Sequence, residues 1–345
     1  MRQRQKLKFG RSALLLVGTL FVSPLSTLSL WANDSTAELA TGGLVLRKTT
    51  DIEMRTEDLY ISADEIRVNY RFFNRASQDR TVTVAFPMPD ISVSGLDENI
   101  ALPTENPENI LDFATRAGGR PVETRVEQKV FAKGVDQTAL LRRLGVPLQP
   151  QLESTNKVLD ALPQSQWPTL IDLGLAEVQD NGMDREGKKH LQARWTLKTS
   201  YFWEQTFPSG KELLIEHRYK PSVGRSAVTS LASPGAEKEE WYKEYLQKYC
   251  LDRYFIGAIV KARRIEKTDF PAFQEQRIAY ILMTGANWAA PIKSFHLVID
   301  KGDPTNLVSF CGDAVKVTPT QFELTKNNYM PKNDLNVLIL KKTQQ

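Results

Sequence analysis

Apolar and polar residues alternate along much of this chain, and that alternation predicts strands. Ile66, Val68, Tyr70 and Phe72 take one side of a period-two pattern whose other side is Arg67, Asn69 and Arg71. Polar residues 74–79 turn the chain, and Val82, Val84 and Phe86 come back on one face. Pro87 and Pro89 end that strand, because proline has no N–H to give to a ladder. A second hairpin is written further on. Trp195, Leu197, Thr199, Tyr201, Trp203 and Phe207 share one face, "PSGK" makes the turn, and Leu213, Ile215, His217 and Tyr219 line the return. More strands are expected at 277–283, 295–300, 307–310 and 335–340.

The period changes to that of a helix in two places. Asp136 is a good N-cap for "QTALLRRL", and Gly145 stands just past its end. "STNKVLDAL" and "TLIDLGLAEV" predict two more short helices separated by prolines, and "DNGMDREGKK" a polar loop. The clearest helix is "EKEEWYKEYLQKYC". There Trp241, Tyr245 and Tyr249 recur at i, i+4 and i+8, with Tyr242, Leu246 and Cys250 on the same side. The expected fold class is therefore mainly β: β-sandwich halves with a helical insertion and one aromatic-rich helix. The divisions are a β-sandwich segment over 38–135, the insertion over 136–180, and a β-rich segment over 190–342 carrying the helix 236–250.

The N-terminus departs from this scheme. Arg2, Arg4, Lys6, Lys8 and Arg11 precede the apolar run "ALLLVGTLFV", and "LSLWA" follows. That order predicts a secretory signal peptide over 1–32, cleaved after Ala32, with Ala37 as the fallback. The unbroken apolar run is about half of the ~20 residues a spanning helix needs. The formal charge of +4 also resides here: without those five bases, 40 basic residues face 41 acidic ones. The basic balance is thus no argument for nucleic-acid binding. The expected location is periplasmic or secreted. In an oxidising compartment the two cysteines, Cys250 and Cys311, are expected to form a disulfide.

Candidate chemistry is sparse. Asp90, Ser92 and Ser94 fit the Asp-x-Ser-x-Ser spacing of metal-dependent adhesion sites, in which a carboxylate and two hydroxyls hold a hard cation. That pattern requires a doubly wound α/β domain, and here prolines precede it without strand–helix alternation, so no metal is expected there. The row Trp195, Tyr201, Trp203, Phe207 is either a flat binding platform or the filling of a core, and one face of a sandwich strand must be buried. His190, His217 and His296 show no zinc spacing, and His217 shares the apolar face of its strand. The acids of "DIEMRTEDLYISADE" read as solvated strand faces. Neither a nucleophile elbow nor a P-loop occurs, and no cofactor or catalytic residue is expected. The insertion from Asp136 to Val178 is the candidate binding surface, either a docking lid or a structural elaboration packed on the sheet.

The stretches "TTDIEMRTEDLYIS", "VNYRFFN", "AFPMPDI", "YFWEQTFPSGKE", "EHRYKPSVG", "KYC", "NWAAPIKSFHLVID" and "VSFC" resemble, in this order, the bacterial secreted family catalogued as domain of unknown function 4424. The resemblance spans roughly 38–342 and implies an exported β-rich protein, with no catalytic residues to carry over. The first β segment is also similar to the inter-α-trypsin-inhibitor N-terminal domain, which has a strand ending in the same aromatic-Pro-x-Pro step. The function expected is a non-enzymatic envelope protein that binds another envelope protein or a polymer. The alternatives are a periplasmic hydrolase whose carboxylates converge only in the fold, and a purely structural envelope component.

Overall fold

The computed structural model describes residues 33–40, 43–93, 100–179, 189–268 and 273–343. The first half of the chain runs β1 (Ser35–Ala40), β2 (Gly43–Arg47), β3 (Ile52–Ile61), β4 (Ile66–Asn74), β5 (Arg80–Pro87), β6 (Ile91–Ser92), β7 (Ile100–Ala101), β8 (Ala114–Ala117), β9 (Arg120–Val122), β10 (Arg125–Ala132) and β11 (Val135–Asp136). Helices α1 (Thr138–Arg143), α2 (Glu153–Ala161) and α3 (Trp167–Asp172) follow. After them come β12 (Ala176–Gln179), β13 (His190–Ala193), β14 (Thr196–Phe207), β15 (Glu212–Tyr219) and β16 (Val223–Ser226). The last part contains α4 (Glu240–Tyr249), α5 (Arg253–Glu266), β17 (Phe273–Tyr280), β18 (Ile292–Asp300), β19 (Leu307–Phe310), β20 (Val315–Lys316), β21 (Gln321–Tyr329) and β22 (Leu335–Lys342).

The chain is mainly β. One sheet has the order β11-β10-β14-β5-β1-β2, with β6 added beside β14. An eight-stranded sheet runs β20-β21-β18-β3-β4-β15-β8-β9, antiparallel throughout except that β18 lies parallel to β3. The alternating faces of the two sheets meet. The rings of Phe72 and Phe207 are 5.6 Å apart, those of Trp203 and His217 5.4 Å, and those of Phe86 and His217 4.8 Å. Trp195, Tyr201, Trp203 and Phe207 are all buried in this core, which removes them as a surface platform.

A third sheet, β19-β22-β17-β16-β7, is covered on both faces. Along β22, Val337 and Ile339 point into the main core, while Leu338 and Leu340 join a second one. Tyr245 and Tyr249 of α4 and Phe255 and Ile259 of α5 fill the rest of that second core. Cys250, in the left-handed conformation that ends α4, is bonded to Cys311 just beyond β19, with Cα atoms 5.0 Å apart. Sequence reasoning missed α5, although its signals were present: Asp252 caps it, accepting the Phe255 N–H at 2.7 Å, and Phe255 and Ile259 are spaced i, i+4. It also missed β21.

The insertion differs from expectation at its C-terminal end. Residues 176–179 are a strand, β12, paired antiparallel with β13, because Gly174 at φ +74° ends the helical run. The segment packs against the main core. Leu141, Val146, Leu148, Leu159, Leu170 and Leu175 belong to the main core, and Trp195 Nε1 donates to the Leu148 carbonyl at 2.8 Å. The segment therefore closes one end of the core.

Candidate functional site

The adhesion-type motif is placed at a strand end. Asp90 pairs with Lys198 at 3.0 Å, so its carboxylate is engaged by a side-chain cation. Ser92 is part of β6, and Ser94 lies outside the described residues. Among the described residues no group of three His, Cys, Asp or Glu side chains is placed to hold a metal ion. His190 Nδ1 lies 2.8 Å from Asp160 Oδ2, which ties β13 to α2.

The strongest concentration of polar chemistry lies inside the molecule. Asn33 and Asp34, just ahead of β1, have no exposed surface. The Asn33 amide donates to both oxygens of Glu57, at 3.0 and 3.2 Å. Tyr70 donates its hydroxyl to Asn33 Oδ1. Tyr280 donates to Glu57 at 3.3 Å, and the Tyr70 and Tyr280 hydroxyls are 3.0 Å apart. Asp34 Oδ1 lies 3.0 Å from His217 Nε2, and His217 Nδ1 lies 2.9 Å from Thr115 Oγ1. Thr284 and Trp288 donate to the Asn33 and Asp34 carbonyls at 2.6 and 2.7 Å. Within this group Asp34 Oδ2 alone has no partner. His217 is thus a core residue satisfied at both nitrogens, as its place on an apolar strand face suggests.

Glu57 corrects the reading of its segment as a solvated strand face. A bulge between Met54 and Thr56 shifts the register of β3 against β4. Ile52 and Met54 face inward before the bulge; after it the inward positions are Glu57, Leu59 and Ile61. One inserted residue thus drives a carboxyl into the core. The phase change is legible in the spacing of those apolar residues, a signal that the reading of the segment as uniformly alternating passes over.

Burial pushes the Glu57 carboxyl up to about 8, against the Asn33 and Tyr280 hydrogen bonds that favour its ionised form. Burial raises Asp34 as well, outweighing the attraction of His217. A carboxyl raised in the folded state contributes stability that is present below its unfolded value and is lost as pH rises through the folded one. Unfolding free energy should therefore fall between about pH 4.5 and 8. Urea unfolding across that range should show a downward slope that Glu57→Gln reduces. Equal slopes in both proteins would contradict the burial argument.

A solvent-open recess occurs on the opposite, outward face of the eight-stranded sheet. It has a volume of about 420 Å³, and its lining includes Thr56, Asp58, Asn69, Arg71, Glu216 and His296, supplied by β3, β4, β15 and β18. The parallel register sets His296 beside Asp58, with Nδ1 2.9 Å from Asp58 Oδ1. His296 Nε2 lies 3.5 Å from Glu323 on β21. Hydroxyl, amide, guanidinium and carboxylate groups thus alternate over a rigid sheet surface and offer both donors and acceptors.

No curated protein matches the chain in sequence. Among solved structures it is similar to a "putative nutrient binding protein" from Legionella pneumophila, at 14% identity and a TM-score of 0.43, over 90% of this chain and 70% of that one. A likeness of that degree carries no functional meaning for this chain. In sequence the match is direct: residues 32–338 fit the family described as Domain of unknown function (DUF4424), and the chain belongs to that family.

Proposed function

We propose that this chain is an exported, non-enzymatic binding protein, and that the recess on the outer face of the eight-stranded sheet receives a hydroxyl-rich polymer of the cell envelope. The observation that carries the reading is that the interior acids are closed to solvent, while the recess that β3 borders is open to it. The paired acids Asp34 and Glu57, which a hydrolase would need in a cleft, are sealed at 0% and 1% exposure. The groups open to solvent form a recess with mixed donors and acceptors, which suits recognition. Export is supported by the basic and apolar order of the N-terminus, by the family match beginning at residue 32, and by the disulfide. The resemblance of the first β segment to the inter-α-trypsin-inhibitor N-terminal domain fits a binding module and rests on the step Phe86-Pro87-Met88-Pro89. The insertion from Asp136 to Val178 is the second candidate surface, because Ile171 and Val178 stay exposed on it.

Sedimentation with purified envelope polysaccharide and with intact cell-wall sacculi tests this reading. The protein should pellet with one of them. Arg71→Ala and Glu216→Ala should each weaken that association at least several-fold without moving the melting temperature. Binding indifferent to both changes but lost on Ile171→Asp would transfer the role to the insertion. Release of soluble fragments from the polymer would favour the hydrolase.

A further inference from the structure

Helix α5 covers the second core with one side and leaves the other to solvent. Phe255 and Ile259 are buried, and Ile256, Val260 and Ala262 pack beside them. At about 100° per residue, Arg253, Tyr254, Gly257, Lys261, Arg264 and Ile265 fall within roughly 120° of the helix circumference. All of them are exposed. This outward face carries three cations and no acid. Asp252 is taken up as the N-cap, and Glu266 falls on the side of Phe255 and Ile259. Among the described residues no carboxylate pairs with Lys261 or Arg264. Arg253 donates to the Tyr254 hydroxyl at 2.8 Å, and its guanidinium lies 4.8 Å from the centre of that ring.

Two features of this face are not required by the fold. Tyr254 and Ile265, at 71% and 69% exposure, are the most exposed large apolar side chains among the described residues. They share one edge of the face, three turns and roughly 16 Å apart along the axis. Gly257 is the second feature. It lies one turn after Arg253 and one turn before Lys261, where glycine costs helix stability relative to alanine. Its backbone does not demand glycine: φ is not positive, and a Cβ there would meet nothing within 4 Å. The missing side chain therefore leaves a bare notch between two cations, open to a close approach from outside.

We propose that the outward face of α5 docks on an anionic phospholipid surface. Arg253, Lys261 and Arg264 meet the headgroup phosphates, one phosphate sits over Gly257, and Tyr254 and Ile265 reach the acyl boundary. The combination of groups decides between occupants. A soluble polyanion accounts for the cations and leaves Tyr254 and Ile265 in water. An apolar groove on another protein accounts for those two and leaves the cations without counter-charge. A lipid leaflet presents phosphate and hydrocarbon a few ångströms apart across one flat surface, so it serves both. A tyrosine ring with a polar tip and long basic side chains with apolar stems suit that boundary. The face belongs to α5 and the recess to β3, β4, β15 and β18, so this inference stands independently of the polymer reading.

Vesicle sedimentation tests the proposal. The protein is taken after export, with its N-terminus sequenced, because the basic and apolar run near Met1 would itself seek lipid. It should pellet with vesicles that contain phosphatidylglycerol and stay in solution with pure phosphatidylcholine, and added salt should release it. Lys261→Ala and Arg264→Ala should each weaken the association roughly fivefold. Tyr254→Ala and Ile265→Ala should weaken it several-fold at unchanged melting temperature. Gly257→Gln separates docking from folding: it should hold or raise the melting temperature, since glutamine is the better helix former, and still weaken binding several-fold. Arg71→Ala should pellet with vesicles like the unaltered protein, and Lys261→Ala should keep its binding to the polymer. Equal pelleting with both kinds of vesicle, or binding that survives Lys261→Ala and Arg264→Ala together, overturns the docking face. Release by free glycerol phosphate, or binding indifferent to Tyr254→Ala and Ile265→Ala, overturns the lipid as its occupant. Loss of vesicle binding in Arg71→Ala alone would transfer the contact to the recess and overturn the assignment to α5.

Discussion

Trp203→Ala should move the urea midpoint sharply downward, by a loss of about 3–5 kcal/mol. The side chain is 2% exposed, lies edge-on to the His217 ring at 5.4 Å, and sits where β14 pairs with Val84 of β5. Removing it opens a cavity between the two sheets, and aromatic neighbours held on paired strands relax little to fill it. A domain's total stability is commonly about 5–15 kcal/mol, so the variant should approach its folding limit at physiological temperature. The change also removes one wall from the imidazole held between Asp34 and Thr115. Circular dichroism against urea is the measurement. A midpoint like that of the unaltered protein would mean that the row of aromatics is not core.

Replacing both cysteines by serine should cost about 4 kcal/mol if the bridge acts mainly on the unfolded chain, since it closes a loop over a separation of 61 residues. The constraint falls on the second core. It pins the end of α4 against the end of β19, and Ser309 Oγ donates to the Tyr249 carbonyl at 2.9 Å beside it. The loss should therefore be concentrated there. Hydrogen exchange in α4 and α5 should accelerate well before exchange in β3, β4 and β15 does. Identical urea midpoints for the double serine variant and the oxidised protein would sink this expectation.

Much of the architecture could be read in advance because strand alternation is a local signal. Ile66 to Phe72 and Leu197 to Trp203 carry their burial pattern in their own spacing, and the structure repeats it. The aromatic face of α4 was legible for the same reason. What escaped had non-local causes. Asn33 and Asp34 are interior because strands from β3 to β17 surround them, whereas the bulge that turns Glu57 inward leaves a local trace in the apolar spacing of β3 that the uniform reading passes over. Nothing in "ANDS" marks it as core. The recess is harder still: its groups come from residues near 57, 70, 215 and 295, which sheet pairing alone brings together. Strand β12 reads as helix in the sequence because a glycine break after a short apolar run suits either element.

The parallel pairing of β18 with β3 has a consequence for the order of assembly. The two strands are separated by 238 residues at His296 and Asp58, and β3 has no neighbour on that side until β18 arrives. Contacts of such long range close slowly, because the intervening chain must be confined before they form. A chain delivered N-terminus first must then hold β3 as an open edge, with unpaired N–H and C=O groups, until almost the whole polypeptide has emerged. During that interval the nascent protein is a template for wrong strand partners, and it depends on whatever occupies exposed strand edges where it folds.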